Sequence, residues 1–239
     1  MTIRTYKGRR GRLTDRQIRA LRDPAMLSPA GSPIDLGELF NDRPITLEIG
    51  FGSGRRTADI AQAEPDRAFL VADVFTTGVA DLMIAIRERK LNNIAVVHGD
   101  ALVLLQERIP TAALHAVRTW FPDPWPKARH HKRRLVNAAN VALIADRCLP
   151  GAVWELATDD GDYAEQMQQV IEGSGLWSGG SAARAPRALT HYEERAQQAG
   201  RTVTDLRYLR LAVNSGHFPP TADVGDAERR ALRDAAATR

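Results

Sequence analysis

The sequence predicts an open, mostly parallel α/β sheet with helices on both faces. Three observations carry this reading. Short apolar runs, each the length of a buried strand, alternate with segments of helical periodicity. The first run ends in a glycine-rich turn, Glu48-Ile-Gly50-Phe-Gly52-Ser-Gly54. Acids also recur where the runs end, at Glu48, Asp73, Asp100, Asp123 and Asp159. Any one of these could be a surface acid after a strand. Five in register point to a crevice, because ligands of open parallel sheets bind at the carboxyl ends of the strands.

The elements follow in order. Met1–Leu21 carries Arg4, Lys7, Arg9, Arg10, Arg12, Arg16 and Arg19 against one acid, Asp15, and Thr14 is placed to cap a short helix over Asp15–Arg22. Residues 23–43 are rich in Pro, Gly and Ser and read as a linker with few contacts, so 1–43 is expected to be a flexible basic arm and linker. A folded domain is expected over 44–214 and a frayed tail over 215–239. Within the domain, strands are expected at 44–50, Ala68–Ala72, Ile94–Val97, Leu114–Thr119, Ala152–Ala157 and Val203–Val213. Helices are expected at Arg55–Ala63, Gly78–Lys90, Leu135–Cys148 and Tyr163–Glu172, with Gly173–Arg184 a Gly/Ser/Ala loop.

The totals bound the function. A chain of 239 residues with 44% apolar content can bury one sizeable core. A formal net charge of +4 suits a polyanionic partner without proving one. Cys148 is the only cysteine, which excludes a disulfide framework, and its apolar surroundings assign it to the core. No apolar run approaches membrane-spanning length and the basic N-terminus lacks an apolar signal core, so cytoplasmic residence and no membrane partner are expected.

Strand, glycine loop and helix together set backbone N–H groups and a positive helix end against a ligand, and glycine keeps side chains out of the way. Asp73 lies 23 residues after Gly50, where an acid can take both hydroxyls of a ribose, and Asp100 is placed to meet an adenine edge. The spacing is G-x-G-x-G, whereas dinucleotide folds ask for G-x-G-x-x-G, so an NAD-dependent oxidoreductase is disfavoured.

The stretch Trp120–Arg134, WFPDPWPKARHHKRR, concentrates the chemistry. Prolines at 122, 124 and 126 fix φ and remove donors, so a rigid loop rather than a helix is expected, holding Asp123 at one angle. Seven basic or potentially basic side chains follow: Lys127, Arg129, His130, His131, Lys132, Arg133 and Arg134. Alone, such a run is often a solvated face. Beside a fixed carboxylate it suggests chemistry on nucleic acid. Trp120, Phe121 and Trp125 are candidates for base stacking, with core packing the favoured reading for Trp120 and Phe121. His130 and His131 have no Cys or acid at metal-ligand spacing, so phosphate contacts are expected and no metal.

The glycine loop resembles the S-adenosylmethionine loop of class I methyltransferases. FPDPWPKARHHKRR is similar, nearly residue for residue, to the signature of the bacterial tRNA (guanine-N7)-methyltransferases, and LEIGFGSG, Ala157-Thr-Asp159 and Thr190-His-Tyr-Glu193-Glu-Arg195 match as well. The resemblance covers roughly residues 3 to 210. It implies a Rossmann-like class I fold with a seven-stranded sheet, S-adenosylmethionine as donor and tRNA as partner. The acceptor it implies is guanine N7 in the tRNA variable loop, at position 46. It implies donor contacts from Glu48, Gly50, Gly52, Gly54, Asp73, Asp100 and Asp123, with Asp123 also catalytic. It implies guanosine contacts from Lys127, Asp159, Thr190 and Glu193, and RNA contacts from Arg129, His130, His131, Lys132, Arg133 and Arg134. Asp73 stands where the family usually has Glu, Phe75 replaces a frequent His, and residues 175–188 match nothing in the pattern. The oligomeric state, monomer or homodimer, stays open. Two alternatives remain: a methyltransferase of this fold acting on another RNA or on protein, and a non-catalytic RNA-binding subunit. A relic of the second kind should have lost its glycines or strand-end acids, and this chain keeps them.

Overall fold

A computed structural model describes residues 5–6, 12–185, 187, 189 and 191–212. One sheet organises it. Its strands are β1 (Ile45–Ile49), β2 (Ala68–Asp73), β3 (Ile94–His98), β4 (Leu114–Trp120), β5 (Cys148–Thr158), β6 (Trp177–Ser181) and β7 (Thr204–Arg210), in the order β3-β2-β1-β4-β5-β7-β6. The first five run parallel, while β7 runs antiparallel to β5 and β6 antiparallel to β7. β1 and β2 are buried at every position, as strands covered on both faces must be. The order reverses between β1 and β4, which opens a crevice at their carboxyl ends.

Alternate residues of β2 and β3 feed two cores. Leu47, Ile49 and Leu70 pack with α5 (Ala101–Glu107), α6 (Ala138–Arg147) and α7 (Gly161–Gly173) through Leu104, Ile144 and Met167. Phe69 and Val71 face the other way, toward α1 (Asp15–Ala20), α3 (Arg55–Ala63) and α4 (Thr76–Arg89) through Ala20, Ala58 and Leu82. Two further helices, α2 (Leu36–Phe40) and α8 (His191–Gln198), complete the set among the described residues. Across one sheet face the pairing register also lines up Glu48, Arg118, Glu155 and Arg207 on four neighbouring strands, an alternating row of charge. Cys148 is buried, as expected.

The structure departs from the sequence reading in several places. Residues 23–43 are not a linker with few contacts. Ile34, Leu36 and Phe40 are buried, and Leu27 pairs beside β3, donating to Val96 O at 2.8 Å and accepting from His98 N at 3.3 Å. Gly99 is needed there, because a Cβ would lie 2.4 Å from Pro29. The segment thus covers an otherwise bare strand edge. Thr14 caps α1 in a reciprocal capping box with Gln17. α1 is then tied to α4 by Arg16–Glu88 and by Gln17 donating to Asp81 at 2.7 Å. Gly173–Arg184 is not all loop: it contains β6, whose Gly179 lies so near β7 that a Cβ would be 2.1 Å from Arg207 O. α6 starts at Ala138, not Leu135, because Asn137 caps it by accepting from Asn140 N at 3.1 Å. The expected strand to Val213 ends at Arg210, and the tail 215–239 lies outside the described residues.

Candidate active site

The glycine loop joins β1 to α3, with φ of +80° at Gly50, +65° at Gly52 and +71° at Gly54. This is left-handed backbone, which favours glycine. Its three glycines do two different jobs. A Cβ on Gly50 or Gly52 would meet nothing within 4 Å and would project into a cleft that both residues line. A Cβ on Gly54 would lie 2.5 Å from that of Leu82, so Gly54 lets α3 and α4 pack closely and does not line the cleft. Gly78 backs the loop from α4, where a Cβ would strike Gly52 O at 1.7 Å.

Two acids shape the same edge. Asp73 accepts from Gly52 N at 2.6 Å and from Phe75 N at 2.8 Å, so it fixes the loop as well as facing the cleft. Asp100 caps α5, accepting from Leu102 N at 2.9 Å. Both line the cleft, which offers about 860 Å³ of open space, and so does Asp123 at the end of β4. Glu48 does not. It is 5% exposed beneath the loop, paired in register with Arg118, and burial pushes its carboxyl up to about 7 against the pull of the Arg118 and Arg56 guanidinia.

The proline-rich stretch turns sharply as it leaves β4. Phe121 (φ +54°) and Trp125 (φ +46°) both adopt left-handed backbone, and Phe121 N donates to Ala157 O at 2.7 Å. After Pro126 the chain winds into a 3₁₀ turn over Ala128–Arg133, where only loop was expected. Trp120 is core, as expected, flanked by the Arg118 and Arg187 guanidinia at 5.4 Å each. Phe121 is not core. It lines the cleft and stacks on Tyr192, ring centres 5.7 Å apart and planes at 11°. Trp125, also a candidate for stacking, is buried and donates from Nε1 to Thr5 O at 2.9 Å, which brings Thr5 and Tyr6 of the arm to the cleft.

The basic run divides. Lys127, Arg129 and Lys132 are exposed, and His130, His131 and Arg133 are half-buried, with Arg133 and His130 against Trp125. Arg134 is 1% exposed. It donates from Nε to Pro124 O at 2.9 Å, pairs with Asp162 and lies 4.8 Å over the Tyr163 ring, so it is absent from the exposed basic face. Its hydrogen bond holds the Asp162 carboxyl below the usual carboxylate range.

The expected guanosine contacts are scattered. Asp159 ends β5 but is absent from the cleft lining and pairs with Arg201 at 2.8 Å. Glu193 is 2% exposed and accepts from Arg184 at 2.9 Å and Arg187 at 2.7 Å, while Arg187 also pairs with Asp205. Thr190 lies outside the described residues. Tyr192, Thr5 and Tyr6 are cleft residues that the sequence reading did not single out, and Phe121 is one for which it favoured core packing over base stacking. Tyr192 sat inside the Thr190–Glu193 segment, which was the available signal. No grouping of three or more His, Cys, Asp or Glu able to hold a metal occurs among the described residues.

A seven-stranded sheet closed by an antiparallel pair, with a glycine loop and strand-end acids at its switch point, defines the α/β methyltransferase class. Solved structures agree on the fold. One described as an antibiotic-related methyltransferase matches with a TM-score of 0.53 at 17% identity, covering 77% of this chain and 98% of that one. The 16S rRNA methyltransferase KamB matches with 0.53 at 15%, covering 76% and 96%. A family model described as "Putative methyltransferase" matches residues 42–206. The tRNA (guanine-N(7)-)-methyltransferase of Streptomyces avermitilis is 41% identical over 236 residues, covering 94% of this chain and 81% of that protein. Those of Nitrosospira multiformis (42% over 212 residues; 85% and 93%) and Mycobacterium leprae (46% over 179; 72% and 78%) are similar too. The chain belongs to the tRNA (guanine-N(7)-)-methyltransferase family.

Proposed function

We propose that this protein, in the cytoplasm, transfers the methyl group of S-adenosylmethionine to N7 of the variable-loop guanine at position 46 of tRNA. The observation that carries the reading is the meeting of Asp123 with Gly52, Asp73 and Asp100 on one cleft, at the foot of an exposed basic turn. The residues fit such a donor. Gly50 and Gly52 leave open exactly the space a side chain would fill, Asp73 suits ribose hydroxyls and Asp100 an adenine edge. When bound, the donor supplies an electrophilic methyl on a sulfonium.

Guanine N7 carries a free lone pair and no proton, so the protein has no base to provide. Its task is alignment, and positioning alone can supply much of the barrier reduction. Positive charge develops on the base during transfer, and the Asp123 carboxylate is suited to stabilise it. Phe121 and Tyr192 offer flat apolar walls for a base. A carboxylate also accepts from guanine N1–H and its amino group, which adenine lacks. Asp159 supports that role because its partner Arg201 is half-exposed and exchangeable, whereas Glu193 is enclosed by guanidinia. Pulling the guanine from its tertiary contacts costs on the order of a few kcal/mol. Phosphate contacts from Arg129, Lys132 and Arg133 would offset it.

The test uses labelled S-adenosylmethionine with tRNA transcripts that carry or lack the variable-loop guanine, followed by borohydride–aniline treatment, which cleaves at N7-methylguanosine. Guanine-dependent label with cleavage in the variable loop is expected, and label without cleavage would sink N7 as the acceptor. Asp123→Ala should lose about a hundredfold to a thousandfold in turnover. Near-normal turnover in that variant would remove Asp123 from the chemistry.

A further inference from the structure

The proline-rich loop that carries Asp123 has an anchoring problem. Pro122, Pro124 and Pro126 contribute no backbone N–H, so the segment has few donors with which to hold itself. Its stiffness fixes local shape but not its place against the sheet. Phe121 N on Ala157 O and Trp125 Nε1 on Thr5 O hold it at two points, and a further donor comes from beyond the loop. Arg134 reaches back ten residues and donates from Nε to the carbonyl of Pro124, the residue directly after Asp123.

The other side of that guanidinium is fixed too. Its Nη2 pairs with Asp162 in the first turn of α7, and its plane lies over the ring of Tyr163 in the same turn. The backbone around Arg134 is seated on the same helix. Val136 N donates to the Tyr163 hydroxyl at 3.1 Å, and Gln166 donates to Val136 O at 2.8 Å. Asn137, the cap of α6, donates to Arg134 O at 3.1 Å. Arg134 thus closes the segment 124–134 into a ring and bolts it to α7. A lysine has the charge but lacks the planar fork that serves two acceptors and stacks on a ring.

We propose that Arg134, with Asp162 as its support, is a positioning residue that sets the place of Asp123, and that it is not an RNA contact despite ending the basic run. The proposal rests on the reading of Asp123 as the residue that acts in methyl transfer. It separates two groups of neighbours in sequence: Lys132 and Arg133 work on the polyanion, and Arg134 works on the loop.

The experiment compares Arg134→Lys, Asp162→Asn and the double variant Lys132→Ala/Arg133→Ala with the wild type. It measures kcat at saturating tRNA and donor, tRNA Kd across a salt series, and melting temperature. Arg134→Lys is expected to lower kcat at least tenfold while tRNA Kd and its salt slope stay unchanged. Asp162→Asn is expected to lower kcat by a smaller factor in the same way, and it carries the test if Arg134→Lys does not fold. The double variant is expected to weaken tRNA binding and to reduce the salt slope by about two, one per lost phosphate contact. An Arg134→Lys or Asp162→Asn variant with wild-type kcat overturns the proposal. So does an Arg134→Lys variant whose loss lies wholly in tRNA Kd and the salt slope. A wild type that does not methylate tRNA guanine overturns the underlying reading of function, which an active wild type with a normal variant would not.

Discussion

The two sides of the cleft are built by different means. On the side of β1, β2 and β3 the backbone makes the site: left-handed glycines, a loop held by Asp73, and helix α5 capped by Asp100. On the side of β4, β5 and β7 ion pairs of buried arginines make it: Arg134 with the exposed carboxylate of Asp162, and Arg187 with the enclosed Glu193 and Asp205. The first kind of construction depends on backbone conformation and hydrogen bonds to it. The second depends on charge, and Arg134, Arg187 or Glu193 deprived of its partners is a buried charge.

That difference predicts where substitutions hurt. The largest effect is expected at Arg187, whose loss takes a guanidinium from both Glu193 and Asp205. Arg187→Ala should cost roughly 3–5 kcal/mol of stability, the usual penalty for breaking a buried pair by removing one partner. Denaturant unfolding measures it, and a loss under 1 kcal/mol would mean that the ion pairs do not build this side. Next come two glycines two residues apart. Gly54→Ala should cost about 2–3 kcal/mol of stability through the clash with the Leu82 Cβ. Gly52→Ala should cost only about 1–2 kcal/mol of backbone strain, yet weaken donor binding at least tenfold, because its Cβ enters the cleft. Calorimetry with S-adenosylmethionine, paired with unfolding curves, separates the two, and equal donor affinities would collapse the distinction.

The last effect is one of pH and concerns Glu48, which belongs to the backbone-built side but behaves like a buried charge. Its carboxyl sits near 7 in the fold, above its ordinary value of 4.5. Between those values the folded protein holds a proton that the unfolded chain has lost. Stability from this group is therefore full below about 4.5 and falls as pH rises through about 7. Glu48→Gln should flatten that fall, by up to about 3 kcal/mol across the window. Parallel pH–stability curves for wild type and variant would rule the effect out.

The same contrast explains what the sequence made legible. β1 to β5, β7, the glycine loop and five of the helices announce themselves by local pattern and by residues within one strand–loop–helix unit. α5 was missed because Ala101-Leu-Val-Leu-Leu is apolar on nearly every side and shows no polar face to set a period. β6 was missed because Gly179 and Gly180 read as loop, although close approach to β7 is what requires the first of them. Arg134 could not be told from Arg133, since nothing adjacent distinguishes them. Only Asp162, 28 residues on, decides that one is buried. The glycines carried a subtler ambiguity. The motif states that three are present, but Leu82 has to be in place before Gly54 is seen to serve packing.

The segment from Leu27 to Phe40 has a practical bearing on where this folding unit begins. Motif content and the family match over 42–206 both suggest a start near Pro44. A chain cut there would leave the outer rim of β3 with unpaired amides and carbonyls, and would uncover the apolar ground beneath Ile34, Leu36 and Phe40. Such a rim is a template for pairing with other copies, so the shortened chain should accumulate as aggregate rather than as a smaller enzyme. Residues 27–40 then act in part as a built-in guard against self-association.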